Sequence, residues 1–159
     1  MLDRTIVVLV ADHGEQFLEH GFMKHCHTLF DTDIRTPLAL RIPGVEGVRE
    51  VLAPVQNVDL VPTLLDYLDI PIAEGEVDGR SLRPLIEGED GDGAPYSYAM
   101  QGPRRSVNDR RFKLRYNARR KEFNLHDLER DPEERHDVLA DNAEVFLRMQ
   151  QELLGWESR

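Results

Sequence analysis

Cysteine is nearly absent: Cys26 is the only one in 159 residues. An intrachain disulfide is therefore excluded, and so is a zinc site built from thiolates alone. Positive charge is in deficit, with 20 Lys and Arg against 30 Asp and Glu, a net charge of −10 and a pI near 5.0. That balance argues against nucleic acid or an anionic membrane as the main partner, because both demand a basic surface. Long apolar runs are also missing. The longest, "TIVVLVA" at 5–11, is far short of the roughly 20 residues that a membrane span requires. No basic segment followed by an apolar core, the mark of a secretory signal, is legible at the start. The compartment stays open between cytoplasm and export. There are no internal repeats, and "EGEDGDGAP" at 87–95 is the one low-complexity stretch.

What remains is the composition of a globular chain, 40% hydrophobic and long enough for one domain with a core. Residues 6–11, "IVVLVA", form a near-continuous β-branched run of the kind that suits a strand buried on both faces of a parallel sheet. "PLALRIPG" predicts a second strand, stopped by Pro43-Gly44. Next, Asp59 is placed to cap a helix with Pro62 in its first turn. Leu60, Leu64, Leu65 and Leu68 fall at helical spacing, and Pro71 ends the helix. Residues 74–95 are turn-rich and predict a surface wrap. Beyond them, "YSYAMQ", "RRSVN", "FKLRYN" and "KEFNLHDL" are short strand-like runs between polar turns, the pattern of a small antiparallel sheet. "ADNAEVFLRMQQELLGW" closes the chain as an amphipathic helix, with Val145, Met149 and Leu153 on one face and Phe146 beside them.

The chemistry is concentrated near the first strand. Asp12-His13-Gly14 follows it directly, and the C-terminal ends of strands in open α/β sheets are where ligands gather. A carboxylate beside an imidazole supplies oxygen and nitrogen donors to a divalent cation, which needs further ligands from elsewhere. By itself the tripeptide is better explained as an Asp-His turn pair that caps the next segment. The loop that follows packs His20, Lys24, His25 and His27 together. Such a loop can be a solvated face. It matches no closed structural-zinc spacing, and imidazoles with an ammonium facing a metal corner suit a tetrahedral anion better, since they hold its oxygens and protonate a leaving group.

Several stretches in register resemble the C-terminal part of the sulfatases of the alkaline phosphatase superfamily, the formylglycine-dependent type. They are "DHGE" at 12–15, "LEHG" at 18–21, "HCHTLFDTDIRTPLALRIPG" at 25–44, "NVDLVPTLLDYLDIPI" at 57–72, "VDGRSLRPLIEG" at 77–88, "RRFKLRYN" at 110–117 and "FNLHDLERDPEERHDV" at 123–138. The resemblance implies an α/β fold: the C-terminal portion of an alkaline-phosphatase-like sandwich plus a small antiparallel sheet with a closing C-terminal helix. It divides the chain into residues 1–90, a partial catalytic α/β domain with the second half of a metal and sulfate site, and residues 91–159, the small sheet and helix. It implies that Asp12 and His13 are metal ligands, for Ca²⁺ first and Mg²⁺, Mn²⁺ or Zn²⁺ as alternatives. It implies that His25, then His27, then Lys24 meet the sulfate.

The motif whose Cys or Ser becomes formylglycine, [CS]-x-P-x-R, does not occur, and nothing of the kind surrounds Cys26. The resemblance therefore places the nucleophile in a preceding segment and implies a sulfatase fragment, inactive alone, that acts on sulfate esters as part of a longer protein. A phosphodiesterase or phosphonate monoester hydrolase of the same superfamily is the alternative, because His at the second metal position is more frequent there. A third reading is a non-enzymatic interaction module. Arg35 is expected to brace Asp31 or Asp33, and His126, His136 and the "ERDPEER" turn are expected at the surface. The fragment is expected to self-associate through uncovered apolar faces.

Overall fold

The computed structural model describes residues 2–25, 28–73, 75–89 and 94–158. The chain divides into two compact units, Met1–Val10 with Leu38–Pro95, and Ala11–Pro37 with Tyr96–Arg159.

In the first unit, β1 (Val7–Val10) pairs with β4 (Leu38–Arg41). The pairing is antiparallel, with Val7 opposite Arg41 and Val10 opposite Leu38. This differs from the parallel, doubly buried strand that the apolar run suggests. Side chains of a strand leave alternately on opposite faces. Among the described residues a two-stranded ladder gives these faces little cover, so Leu9 is 65% exposed and Val7 and Val10 are exposed as well. A 3-10 turn at Asn57–Asp59 leads into α2 (Leu60–Tyr67). Pro62 sits in the first turn of α2, where its missing N–H breaks no helical bond. Asp59 does not cap α2 as expected. Its buried carboxylate accepts the Gln56 N–H at 2.8 Å and the Arg80 N–H at 3.0 Å, starting the 3-10 turn and tying a distant loop to it. The stretch expected as a surface wrap contains α3 (Arg83–Glu87), which buries Leu85 beside Leu82. Gly88 ends α3 at φ +85°, a conformation that glycine adopts without strain.

The second unit is built on a four-stranded antiparallel meander, β5 (Ser97–Gln101), β6 (Arg104–Asn108), β7 (Phe112–Asn117) and β8 (Glu122–Asp127). Its strands are the four runs that the sequence marks. The register aligns Val107, Leu114 and Leu125 across three strands. The closing helix α4 (Ala143–Glu157) brings Met149 and Leu153 onto them. Val107, Leu114, Leu125 and Met149 are all fully buried. Trp156 stacks on Tyr98 at 5.0 Å and Phe146 meets Phe123 edge-on at 5.3 Å, closing the margins of this core.

Two further pieces belong to this second unit. One is a short hairpin, β2 (Gln16–Phe17) against β3 (Met23–Lys24); the other is a single turn of helix, α1 (Asp31–Ile34). Residues alternate faces along β7, so Phe112 and Leu114 join the core under α4 while Lys113 and Arg115 leave on the other face. The segment 28–34 lies on that second face, with Asp31 and Phe30 against Lys113 and Arg115.

Candidate functional site

Asp12, His13 and Gly14 make a corner in the second unit. The His13 backbone N–H donates to Asp12 Oδ1 at 3.0 Å. The His13 ring places Nδ1 2.8 Å from the Gly14 carbonyl. A carbonyl oxygen only accepts, so Nδ1 carries the proton and Nε2 presents a lone pair. Asp12 Oδ1 lies 3.7 Å from Nε2, and its side chain is 90% exposed. The bond to Gly14 raises the His13 pKa; desolvation, next in size, opposes it, and the charges of Asp12, Glu15 and Asp33 add to the rise. Gly14 is required by close approach rather than by a left-handed backbone. A Cβ there would collide with the Thr32 carbonyl oxygen, while its own N–H donates to the Asp33 carbonyl at 2.7 Å.

The structure brings two of the expected site histidines together. His25 stacks on His13 with ring centroids 4.0 Å apart. Its Nδ1 lies 3.1 Å from Glu15 Oε2, so Nδ1–H donates to the carboxylate and Nε2 is left to exchange a proton. Glu15 was not singled out by the sequence, where nothing marks it as the partner of an imidazole ten positions on. Lys24 is exposed, and no ion pair to it appears among the described residues. It holds φ +73°, as Leu18 (+79°) and His20 (+55°) hold theirs, in a region costly for residues with a Cβ. His27, with Cys26, lies outside the described residues. Among the described residues no group of three or more His, Cys, Asp or Glu is placed to hold a metal ion. Asp12 and His13 together fit the chemistry of a partial site, an exposed carboxylate beside an imidazole whose other nitrogen is fixed by a backbone carbonyl.

The corner is tied to the segment 28–34 by buried polar contacts. Asp33, 4% exposed, accepts the Thr28 N–H at 2.8 Å and the Thr28 hydroxyl at 2.6 Å. Buried Gln16 donates to the hydroxyls of Thr28 (3.3 Å) and Thr32 (3.1 Å). The segment is in turn tied to the meander. Lys113, 0% exposed, reaches Asp31 at 2.6 Å and Glu134 at 3.1 Å, and Glu134 also accepts the Asp31 N–H at 2.5 Å. Arg115 lies over the Phe30 ring at 3.6 Å, and His20 stacks on the same ring at 3.4 Å. Two such close contacts fit only on opposite faces of the ring.

Two expected surface positions and the expected Arg35 brace differ in the structure. His126 is buried, accepts from Arg115 at 2.9 Å, and has its pKa lowered to about 4, by burial first and the Arg115 charge second. Glu134, inside the "ERDPEER" turn, is buried, and desolvation pushes its pKa up against the pull of Lys113. Arg35 is exposed, and the acidic loop is braced by Lys113 and Thr28. His136 is exposed beside Asp131, as expected.

Residues 18–158 match the family described as N-sulphoglucosamine sulphohydrolase, C-terminal. The chain is 39% identical over 85 residues to an extracellular sulfatase SULF-1 homologue of Drosophila melanogaster, covering 54% of this chain and 8% of that protein. It is 34% identical over 139 residues to a choline-sulfatase of Rhizobium meliloti, covering 83% and 26%. Among solved structures, a 2-O GAG sulfatase superposes with a TM-score of 0.87 at 25% identity, covering 97% of this chain and 36% of that one. A phosphonate monoester hydrolase from Silicibacter pomeroyi does so with 0.85 at 31%, covering 99% and 35%. The chain thus spans about a third of those structures and between 8% and 26% of those two relatives. With the matched family covering most of its length and both units following the fold of these neighbours, the chain belongs to the sulfatases, as a C-terminal domain of the N-sulphoglucosamine sulphohydrolase type.

Proposed function

We propose that this chain supplies the second wall of a sulfatase active site and turns over nothing alone. The observation that carries the reading is the pairing of His13 and His25, whose rings stack at 4.0 Å with one nitrogen of each fixed by Gly14 and Glu15. Asp12 Oδ1 and His13 Nε2 would hold a divalent cation, Ca²⁺ first. Bound there, the cation would polarise an oxygen of the sulfate ester. Carrying a second proton on Nε2 while Nδ1–H stays on Glu15, His25 would give that Nε2 proton to the leaving alcohol oxygen as its bond to sulfur breaks. Lys24 and His27 supply further positive charge to the sulfate oxygens. A nucleophile is needed to divide ester cleavage into two accessible steps, and the [CS]-x-P-x-R motif does not occur in this sequence.

The test is turnover and binding by the 159-residue chain. Aryl sulfates and aryl phosphates should be cleaved no faster than in buffer with Ca²⁺ present. Ca²⁺ should bind no more tightly than about millimolar, because two protein donors fall short of the roughly six to eight that it takes. Metal-dependent turnover abolished by Asp12→Ala would overturn the reading. A phosphonate or phosphate ester is the second candidate substrate, supported by the 31% identity to the phosphonate monoester hydrolase. Broadening of the His13 and His25 ring signals by sulfate but not by phosphate or phenylphosphonate would decide against it.

A further inference from the structure

A buried ammonium in the second unit lies apart from the two histidines. Lys113 is completely buried in the central strand β7, with Asp31 and Glu134 on its ammonium. Burying charge is costly unless it is paired and hydrogen-bonded, and such a pair adds less to stability than well-packed apolar groups would. What it does here is join three points far apart in sequence. Glu134 Oε2 accepts the backbone N–H of Asp31 while its Oε1 forms an ion pair with the ammonium, which donates to Asp31 Oδ1, so both the main chain and the side chain at 31 are held. One residue back, Phe30 is held between Arg115 and His20. Two residues on, Asp33 holds Thr28 by its side chain and Gly14 by its carbonyl. Gln16 adds two bonds to Thr28 and Thr32.

The contacts of Lys113 with Asp31 and Arg115 with Phe30, then of Asp33 with Gly14 and Gln16 with Thr28 and Thr32, connect β7 to the corner that carries His13. We propose that Lys113, with Asp31 and Glu134, is a positioning residue: a buried latch that sets where His13 and His25 stand through segment 28–33. This deepens the sulfatase reading, on which the choice of those two histidines rests. Neither Lys113 nor Glu134 touches the site itself. The latch makes the C-terminal sheet a determinant of site geometry, so that exchanging the sheet between sulfatases without its partner segment would misplace the histidines.

The experiment is solution NMR on the full chain carrying Lys113→Met, with Asp31→Asn as the second variant, made on the segment and not in the sheet. The readouts are the magnetisation transfer between the His13 and His25 rings and the exchange of the Thr28 and Gly14 amides. In both variants the ring contact should be lost, and those amides should exchange at least about tenfold faster, while Leu114 and Leu125 keep their protection. Persistence of the ring contact and of Thr28 protection in either variant overturns the proposal. If Lys113→Met unfolds the meander, Asp31→Asn decides alone on the same criteria. Sulfate and vanadate titrations of the unmodified chain separate the two claims: rings in contact that ignore both anions count against the sulfatase reading and leave the latch untouched.

Discussion

β1 and β7 reverse the usual expectation from hydropathy. β1 reads Val-Val-Leu-Val, and three of its four side chains are exposed. β7 reads Phe-Lys-Leu-Arg-Tyr-Asn, and its first three residues are buried, Lys113 completely. The difference lies in cover. β7 has a hydrogen-bonded neighbour on each side, α4 over one face and segment 28–34 over the other. β1 has one partner strand among the described residues. Burial follows the number of elements that cover a strand, and a charged side chain can be buried when the covering element brings its counter-charge.

Substitutions in the two regions should differ several-fold in effect. Leu114→Ala opens a cavity under α4 and should lower unfolding free energy in urea by about 4 kcal/mol. Glu134→Ala leaves Lys113 buried with one partner fewer and should cost about 3 kcal/mol. A drop in pH comes next. Neutral His126 is held to a pKa of about 4 against an ordinary 6.5. Between those values the unfolded chain binds a proton that the folded chain does not, so stability present above pH 6.5 is lost as pH falls. The contribution is roughly 2 kcal/mol between about pH 7 and about pH 4.5. It is read as the difference between the native chain and His126→Gln, which removes the losses shared with acid titration of the carboxylates. Smallest, Leu9→Ser on β1 should change stability by no more than about 0.5 kcal/mol. It should reduce self-association in light scattering, since exposed apolar strands promote it.

Local pattern carried the meander, because its short strand-like runs are separated by polar turns, and α4, because its apolar residues recur on one face. The sequence singles out Asp12, His13 and His25, and the structure sets the rings of the two histidines in contact. The latch was not. Asp31 and Lys113 are 82 positions apart, and Asp31 and Glu134 are 103 apart. Glu134 sits in a turn that composition reads as solvated, and the nearest cation in sequence to Asp31 is Arg35. A lysine between Phe112 and Leu114 in a central strand was the one local sign that a counter-charge had to come from elsewhere. Asp59 was misread for a related reason: its carboxylate serves backbone groups at 56 and 80, and only the nearer of the two lies within sight of the helix start.

The grouping of segment 11–37 with the meander is the claim on which the rest depends, and hydrogen exchange read by mass spectrometry tests it directly. Peptides spanning 28–34 should exchange at the rate of those spanning 112–127, and both should be slower than peptides within 7–10 and 38–41. Peptides at 28–34 that exchange with the β1–β4 pair, while the meander stays protected, would contradict the account.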